Sequence, residues 1–269
     1  MALKFCSFAS GSSGNCYLVK SEEATVLIDV GIAGKRIIEG LTEKGLSPEQ
    51  IDGIFLTHEH IDHVRSLKML AKKSGGAKVY GSAGTLIAVS DKIKEEQGIS
   101  IFAGEDFYVG DMQIKPFRLS HDAAEPLGYS VASGGRQLTI VTDTGCISEE
   151  MFHHILQADL LVLEANHEVN ILQMGAYPYP LKRRILGDEG HLSNETAGRC
   201  LCEMLKTRNE QMHRPVPKVV LAHLSKENNT PGQAYLTIRN LLNEEDFYID
   251  KDLTLEIAAR DEAGEYIEV

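Results

Sequence analysis

Three histidines and one aspartate occupy six consecutive positions of the segment GIFLTHEHIDH, residues 53–63. They are His58, His60, Asp62 and His63, in a chain that has ten histidines altogether. At this composition, a chance match to the spacing has odds on the order of one in a thousand. Imidazole and carboxylate groups are ligands that suit zinc, manganese and iron. The segment therefore predicts a metal site where an apolar strand ends.

The spacing within the segment predicts how these side chains divide between ions. Residues two apart on an extended chain face the same way, so His58 and His60 can bind one ion. Asp62 and His63 lie where HVRSLKMLAKK predicts a helix, with Asp62 as its N-cap, and they can bind a second ion. The helical pattern of two histidines four positions apart does not apply, because the fourth residue after His58 is Asp62.

Four further polar residues each follow an apolar, strand-like run. His121 follows IKPFRLS, and Asp143 follows QLTIVT. His223 follows KVVLA, and Asp29 follows TVLI. Any one of them alone could be a capping or surface residue. Because all four end similar runs, we expect them to complete a site that holds more than one ion.

The charge of the chain limits how it can bind nucleic acid. The net charge is −12, which argues against non-specific binding of nucleic acid over the whole surface but leaves room for a local basic path. The candidate for such a path is the run Lys182, Arg183 and Arg184. A solvated surface run explains these three residues equally well.

Composition also bears on the compartment. We expect that the amino-terminal MALKFCSFASGSSGN is not a signal peptide, and no run approaches the ~18 apolar residues of a membrane span. The five cysteines form no C-x-x-C pair, which favours a reduced, cytoplasmic interior. We expect no membrane partner. Whether the chain is a monomer or a homodimer is open.

Short β-rich runs alternate with helical segments along the whole chain. VRSLKMLAKK and AGTLIAVSDKIKEE predict helices, and residues 100–143 are mostly strand-like. There is no repeat, low-complexity segment or Gly/Ser linker. This organisation predicts one domain, residues 1–269, with two packed sheets covered by helices.

The motifs LIDVG, THEHIDH, SHDAAEPLGY, VTDTG and LAHLS occur in an order that resembles the metallo-β-lactamase superfamily. The resemblance implies an α/β fold, an αββα sandwich of two mixed β-sheets flanked by helices, with a dinuclear centre. It implies that one ion is held by His58, His60 and His121. It implies that the other ion is held by Asp62, His63 and His223. Asp143 would bridge the ions, and Asp29 would orient the ligands from behind.

This superfamily catalyses many reactions, and other residues indicate which of them apply to this chain. Asp143 stands where some β-lactam-cleaving members carry cysteine, and His60 stands where flavodiiron oxidoreductases carry glutamate. Glu164 and His191 are similar to the acidic–histidine pair of ribonuclease Z, which implies proton donation to a leaving alkoxide by His191. The alternative for His191 is a residue at a helix entry beside Ser193. Asp62 is predicted to be catalytic as well as a ligand.

A narrower resemblance rests on FASGSSGNCYLV, LEANHEV, YPYPLKRRILGDEGHLSNE and LAHLSKENN, which look like the YycJ/WalJ group. That group implies a bacterial cytoplasmic 5′→3′ DNA exonuclease linked to mismatch repair. Residues 169–190 could then form the substrate rim. The loop of residues 10–15, with Ser12 and Asn15, could offer backbone N–H groups to phosphate, and a glycine hairpin explains this loop equally well.

The sequence thus predicts a dinuclear-metal phosphodiesterase, a 5′→3′ DNA exonuclease acting in DNA repair. Its cofactors would be two divalent ions, with zinc, manganese and iron all open, and RNA stays open as a substrate. One alternative is a hydrolase of small esters, thioesters or cyclic phosphodiesters. A second alternative is a non-catalytic, metal-dependent partner of a signalling system.

Overall fold

The computed structural model describes residues 3–211 and 214–269, and its strands form two seven-stranded sheets. The strands of the first sheet are β1 (Lys4–Ala9), β2 (Cys16–Lys20), β3 (Thr25–Ile28), β4 (Gly53–Phe55), β5 (Lys78–Gly81), β6 (Gly98–Ser100) and β14 (Ile267–Glu268). The strands of the second sheet are β7 (Phe107–Val109), β8 (Met112–Arg118), β9 (Leu127–Ser133), β10 (Arg136–Val141), β11 (Leu160–Glu164), β12 (Lys218–Ala222) and β13 (Thr254–Ile257).

The helices are α1 (Gly34–Glu43), α2 (Ile61–Val64), α3 (Leu67–Lys73), α4 (Ala83–Ala88), α5 (Glu149–Leu156), α6 (Val169–Met174), α7 (Tyr179–Ile185), α8 (Asn194–Gln211) and α9 (Pro231–Glu244). Two short 3₁₀ helices lie at Pro48–Gln50 and Glu95–Gln97. The sheet orders are β14-β1-β2-β3-β4-β5-β6 and β13-β12-β11-β10-β9-β8-β7. Both sheets mix parallel and antiparallel pairs, so the predicted class, α/β with two mixed sheets flanked by helices, is confirmed.

The chain folds as two compact units, and the first comprises residues 3–118, 123–137 and 259–269. Its core forms where the apolar faces of α1 and α3 pack on the first sheet, around Ile37, Leu41, Leu67 and Leu70. Strands β3 and β4 run parallel, with Ile28 opposite Phe55 in the register. Because parallel strands end at the same edge of a sheet, the residues that follow β3 and β4 lie side by side.

The second unit comprises residues 119–122, 138–211 and 214–258. Strands β10 to β13 are parallel, and all five residues of β11 are buried. A central parallel strand is covered on both faces, which explains the continuous apolar run of β11. The register sets Glu164, the last residue of β11, opposite Ala222, the last residue of β12. Both strands therefore end at one edge. The prediction that residues 1–269 form one domain stays a prediction.

Two predicted helices differ from the structure. The segment 63–73 is divided into α2 and α3, because the N–H of Ser66 donates to the carbonyl of Val30. The N-cap of α2 is His60, so the prediction of Asp62 as N-cap is wrong, and Asp62 lies in the first turn. Helix α4 ends at Ala88, although the sequence predicted a helix to residue 96, because the following Ser90 and Asp91 favour turns.

Two further features of the described residues concern helix length and the cysteines. Within the described ranges 3–211 and 214–269, no helix combines the length and apolarity that a bilayer span requires. All five cysteines are free thiols, four of them buried.

Candidate metal centre

His58 and His60 converge in the first unit. Nε2 of His58 lies 3.0 Å from Nδ1 of His60, and the ring of His58 is fully buried. Two nitrogens that bind one tetrahedral ion at 2.0–2.1 Å lie roughly 3.3 Å apart. The observed spacing therefore fits two imidazoles that bind the same divalent ion.

Thr57, which the sequence analysis did not single out, fixes the orientation of the His58 ring. Its hydroxyl donates to Oδ2 of Asp29 over 2.8 Å and lies 2.9 Å from Nδ1 of His58. Because the single hydroxyl proton goes to the carboxylate, Nδ1 of His58 must be the donor to Thr57. Nε2 of His58 is then left as the metal-binding nitrogen. The sequence feature that could have identified Thr57 is its position directly before His58.

Asp29 contacts His63 at Nδ1. Oδ2 of Asp29 lies 2.7 Å from Nδ1 of His63, and Oδ1 accepts the backbone N–H of Thr57 over 2.9 Å. All three side chains are buried. A carboxylate only accepts, so Nδ1 of His63 carries the proton and Nε2 faces away as a potential ligand.

The loop of residues 10–15 packs directly on the histidine segment. The Asn15 amide nitrogen lies 3.1 Å from Nε2 of His63, and its oxygen accepts the N–H of Gly11. Asn15 is buried, whereas Ser12 is exposed. A Cβ on Gly31 would lie 1.6 Å from the carbonyl oxygen of Asp62, so only glycine allows this close approach. The Asn15 amide thus contacts the ring nitrogen of His63 that is predicted to bind metal, so metal binding at that nitrogen would replace this contact.

In the second unit, Glu164 holds two histidines with one carboxylate. Oε1 lies 2.8 Å from Nδ1 of His191 and 2.8 Å from Nδ1 of His223. Oε2 accepts the backbone N–H groups of Thr144 and Leu192 at 3.0 and 3.2 Å. Burial alone would raise the pKa of this carboxyl, but the two histidines hold it well below its ordinary value. Glu164 is therefore an anion that contacts both histidines through Nδ1 and not through Nε2.

Asp143 lies beside the same histidines. Its Oδ1 is 3.4 Å from Nε2 of His223 and 3.9 Å from Nδ1 of His191. Potential ligand atoms of Asp143, Glu164, His191 and His223 all lie within 4.8 Å of one another. Carboxylate and imidazole donors at this spacing fit a divalent ion.

His121 joins this cluster through the segment that carries Gly190. Its Nδ1 lies 3.1 Å from the carbonyl of Gly190, which makes Nδ1 the donor and leaves Nε2 as the potential ligand. Nε2 is 3.5 Å from Asp122 and 3.9 Å from Asp143. Burial lowers the pKa of His121, with Asp143 opposing that effect. Asp122, absent from the sequence prediction, is a further carboxylate at this nitrogen.

Backbone strain marks three of the four predicted strand-end residues. Asp29, Asp143 and His223 have φ values of 57°, 60° and 55°, in the left-handed region. A non-glycine residue there costs on the order of 1 kcal/mol or more and persists where the surrounding structure demands it. Each is placed so that its side chain meets a neighbouring strand end.

The basic run of α7 has three different environments. The ammonium group of Lys182 donates to the carbonyls of Gln173 and Gly175 at 2.7 and 2.6 Å. Nε of Arg184 donates to Oδ2 of Asp122, and Arg183 is exposed. Of the three cations, Arg183 is the one whose charge faces solvent without such a partner in the described chain.

His167 is a buried histidine that was not among the predicted site residues. Its side chain is 1% exposed, and neither ring nitrogen has a hydrogen-bond partner within residues 3–211 and 214–269. Burial lowers its pKa to about 4, while Glu164 raises it and His191 lowers it. His167 is therefore neutral at pH 7.

This chain is similar to known proteins in both sequence and fold. A family model described as a β-lactamase superfamily domain matches residues 25–223. Exodeoxyribonuclease WalJ of Streptococcus pneumoniae serotype 2 is 35% identical over 274 residues, covering 100% of this chain and 99% of that protein. Exodeoxyribonuclease YycJ of Bacillus anthracis is 36% identical over 250 residues, covering 92% of each. The crystal structure of the metallo-β-lactamase fold protein YhfI from Bacillus subtilis matches with a TM-score of 0.73 at 17% identity, covering 100% of both chains, which supports the fold.

Proposed function

The chain belongs to the β-lactamase superfamily domain family, and we propose that it is a metal-dependent phosphodiesterase that degrades DNA from the 5′ end. Two similar proteins, matched over nearly their full lengths, are named exodeoxyribonucleases. The structural observation that carries the proposal is the shared carboxylate of Glu164, since it presents a predicted ligand, His223, and a predicted proton donor, His191, together.

We propose that two divalent ions are held by His58, His60, Asp62, His63, His121, Asp143 and His223. The convergence of His58 and His60 supports this donor set, as does the proximity of Asp143 to His223. Zinc, manganese and iron all suit such ligands. When bound, the ions supply a more acidic water as nucleophile and neutralise charge that develops on the phosphate.

His191 is proposed to protonate the oxygen that leaves phosphorus. Its Nδ1 is fixed on Glu164, so Nε2 is the atom that can carry a proton to the leaving group. The Glu164 carboxylate stabilises the imidazolium before transfer and orients the ring throughout. Asp62, 22% exposed and 3.7 Å from Nε2 of His63, is the proposed catalytic carboxylate on the open side of the histidine segment.

For substrate binding we propose Arg183 and Arg184 on α7, Lys182 behind them, and the loop with Ser12 and Asn15. Arg183 faces solvent, and Arg184 can exchange Asp122 for a phosphate. We propose a cytoplasmic location and a role in DNA repair, because the narrower resemblance implies both. The 5′→3′ direction rests on the same ground.

One assay panel tests the activity. Metal-loaded protein is incubated with duplexes labelled at either end, with RNA of the same sequence, and with a thioester and a cyclic nucleotide. We expect release of mononucleotides from the 5′ end of DNA, dependent on added zinc or manganese. Turnover of the thioester or cyclic nucleotide without DNA cleavage would instead support the small-molecule hydrolase. No turnover of any substrate by metal-loaded protein would support the non-catalytic signalling partner.

A further inference from the structure

A second basic region, absent from the sequence prediction, lies on the first unit. Residues 65–97 contain seven lysine or arginine residues and three acidic residues, although the whole chain carries a net charge of −12. No two of these cations except Lys72 and Lys73 are adjacent in sequence. The region is therefore not visible as a run of basic residues in the sequence. Folding brings its charges together.

Five of these lysines surround one cavity. Helix α3, the start of β5 and the chain before the second 3₁₀ helix enclose about 610 Å³ between them. The lining lysines are Lys68, Lys72, Lys78, Lys92 and Lys94. All five come from residues 68–97 of the first unit, so the cavity belongs to that unit alone.

The cations of this lysine cavity are only partly neutralised. Lys68 and Lys72, one helical turn apart, form no ion pair with any residue that the structure describes. The partly buried Lys92 pairs with the exposed Asp91 at 3.5 Å, and the exposed Lys94 pairs with the exposed Glu96 at 3.8 Å. Such surface pairs are weak and readily exchanged for another anion. The cavity therefore keeps an excess of positive charge.

We propose that the lysine cavity binds the phosphate backbone of a nucleic acid, away from the scissile bond. The proposal rests on the proposed function and adds a second contact to it. Several ammonium groups around one large concavity suit a ligand with several phosphates, because each lysine can bind its own phosphate. In a chain that otherwise repels polyanions, such a local site is where nucleic acid is attracted.

The distance from the histidines decides what the site can do. Lys78 pairs with Gly53 at the start of β4, and His58 follows five residues after Gly53. At about 3.3 Å per extended residue, the two ends are about 17 Å apart. At about 3.4 Å per base step this corresponds to about five nucleotides. At Lys78, the cavity therefore lies several nucleotides from His58, where a contact adds to the binding of a long substrate.

The test compares two variants of equal net charge. Lys68→Glu/Lys72→Glu reverses the two unpaired lysines, and Lys35→Glu/Lys251→Glu reverses two exposed lysines outside the cavity. Lys68→Gln/Lys72→Gln is a milder version of the first. Binding of a fluorescent duplex of about twenty base pairs, and of a trinucleotide, is measured in EDTA between about 50 and 200 mM salt. Turnover of a nitrophenyl phosphodiester is measured separately with metal.

We expect the Lys68/Lys72 reversal to weaken duplex binding about tenfold and to flatten the salt slope by about 1.8, because two phosphate contacts are lost. Trinucleotide binding and nitrophenyl ester turnover stay as in the wild type, and so does duplex binding by the control. Equal losses in both variants, or none in either, overturn the proposal. Lysine-dependent binding of polyglutamate without lysine-dependent binding of DNA also overturns it, in favour of an acidic protein partner.

The same measurements separate this inference from the proposed function. Lysine-dependent duplex binding by a protein that cleaves no DNA with metal would contradict the exonuclease proposal and support the cavity. Cleavage of DNA by a Lys68/Lys72 variant that binds duplex as the wild type does would contradict the cavity and support the exonuclease.

Discussion

Nδ1 of His223 lies 2.8 Å from Oε1 of Glu164, the same oxygen that holds His191. The sequence predicted Glu164 only as the partner of His191. The structure makes it a partner of a predicted metal ligand as well, which enlarges the effect expected from its replacement.

Glu164→Gln is expected to lower both metal affinity and DNA cleavage. An amide cannot accept from two histidines and two backbone N–H groups at once, so one pair loses its acceptor. We expect metal affinity to fall about 10–100-fold, measured by chelator competition. Glu168→Gln is the matched control, because Glu168 accepts from Asn194 and Thr237 instead. Wild-type metal affinity in Glu164→Gln would show that His223 does not bind metal through this arrangement.

His191→Ala is expected to retain metal and to lose rate. The loss on DNA should be roughly 10²–10⁴-fold, and it should shrink on a nitrophenyl ester, whose leaving group needs little protonation. His153→Ala, on the exposed side of α5, should change neither rate. Loss of metal by His191→Ala, or equal rate losses on both substrates, would argue for ligation in place of proton donation.

Asp143→Gly is expected to be more stable than Asp143→Ala. At φ 60° alanine is strained and glycine is not, which outweighs the entropy that glycine loses on folding. The expected difference is about 0.5–1 kcal/mol in the free energy of unfolding, measured in urea with EDTA. Both variants should lose metal. Asp91 is the control, because its φ is not in the left-handed region. There, Asp91→Gly should be less stable than Asp91→Ala.

The basic run of α7 is expected to divide by function. Lys182→Met should lower the free energy of unfolding by about 1 kcal/mol, because two carbonyls lose a charged donor. It should leave the salt slope of DNA binding unchanged. Arg183→Glu should leave stability unchanged and flatten that slope by about 1. The reverse assignment of the two effects would mean that Lys182 contacts DNA and Arg183 does not.

His167→Phe is expected to make the protein less sensitive to acid. Above about pH 6.5 the imidazole is neutral in both states and contributes no pH dependence. Burial lowers the pKa of His167 to about 4 in the folded protein. Between pH 6.5 and pH 4, this histidine is therefore protonated in the unfolded chain and neutral in the folded chain. Over this range, the free energy of unfolding of the wild type should therefore fall by up to about 3 kcal/mol more than that of the variant.

Urea unfolding of metal-free protein at several pH values measures this difference. His153→Phe, at an exposed position, should unfold with the pH dependence of the wild type. Identical pH dependence in His167→Phe and the wild type would show that folding does not lower the pKa of His167.

The predictions made from the sequence rest on local patterns. The spacing of His58, His60 and His63, and the polar residues after apolar runs, indicated which side chains end strands, because strand direction and side-chain alternation are local properties. The same motifs indicated the family and the fold class, and both are confirmed. The longer segments that resemble the YycJ/WalJ group also indicated a nuclease, in agreement with the names of the two similar proteins.

Contacts between distant parts of the chain decided the rest. The break between α2 and α3 depends on a hydrogen bond from Ser66 to Val30, and the double role of Glu164 depends on residues 27 and 59 positions away. The lysine cavity forms because α3 and the chain before the second 3₁₀ helix fold against each other. Periodicity and spacing report only on neighbours in sequence. Hydrogen-bond partners, burial and the summed field of separated charges are set when the tertiary fold brings those neighbours together.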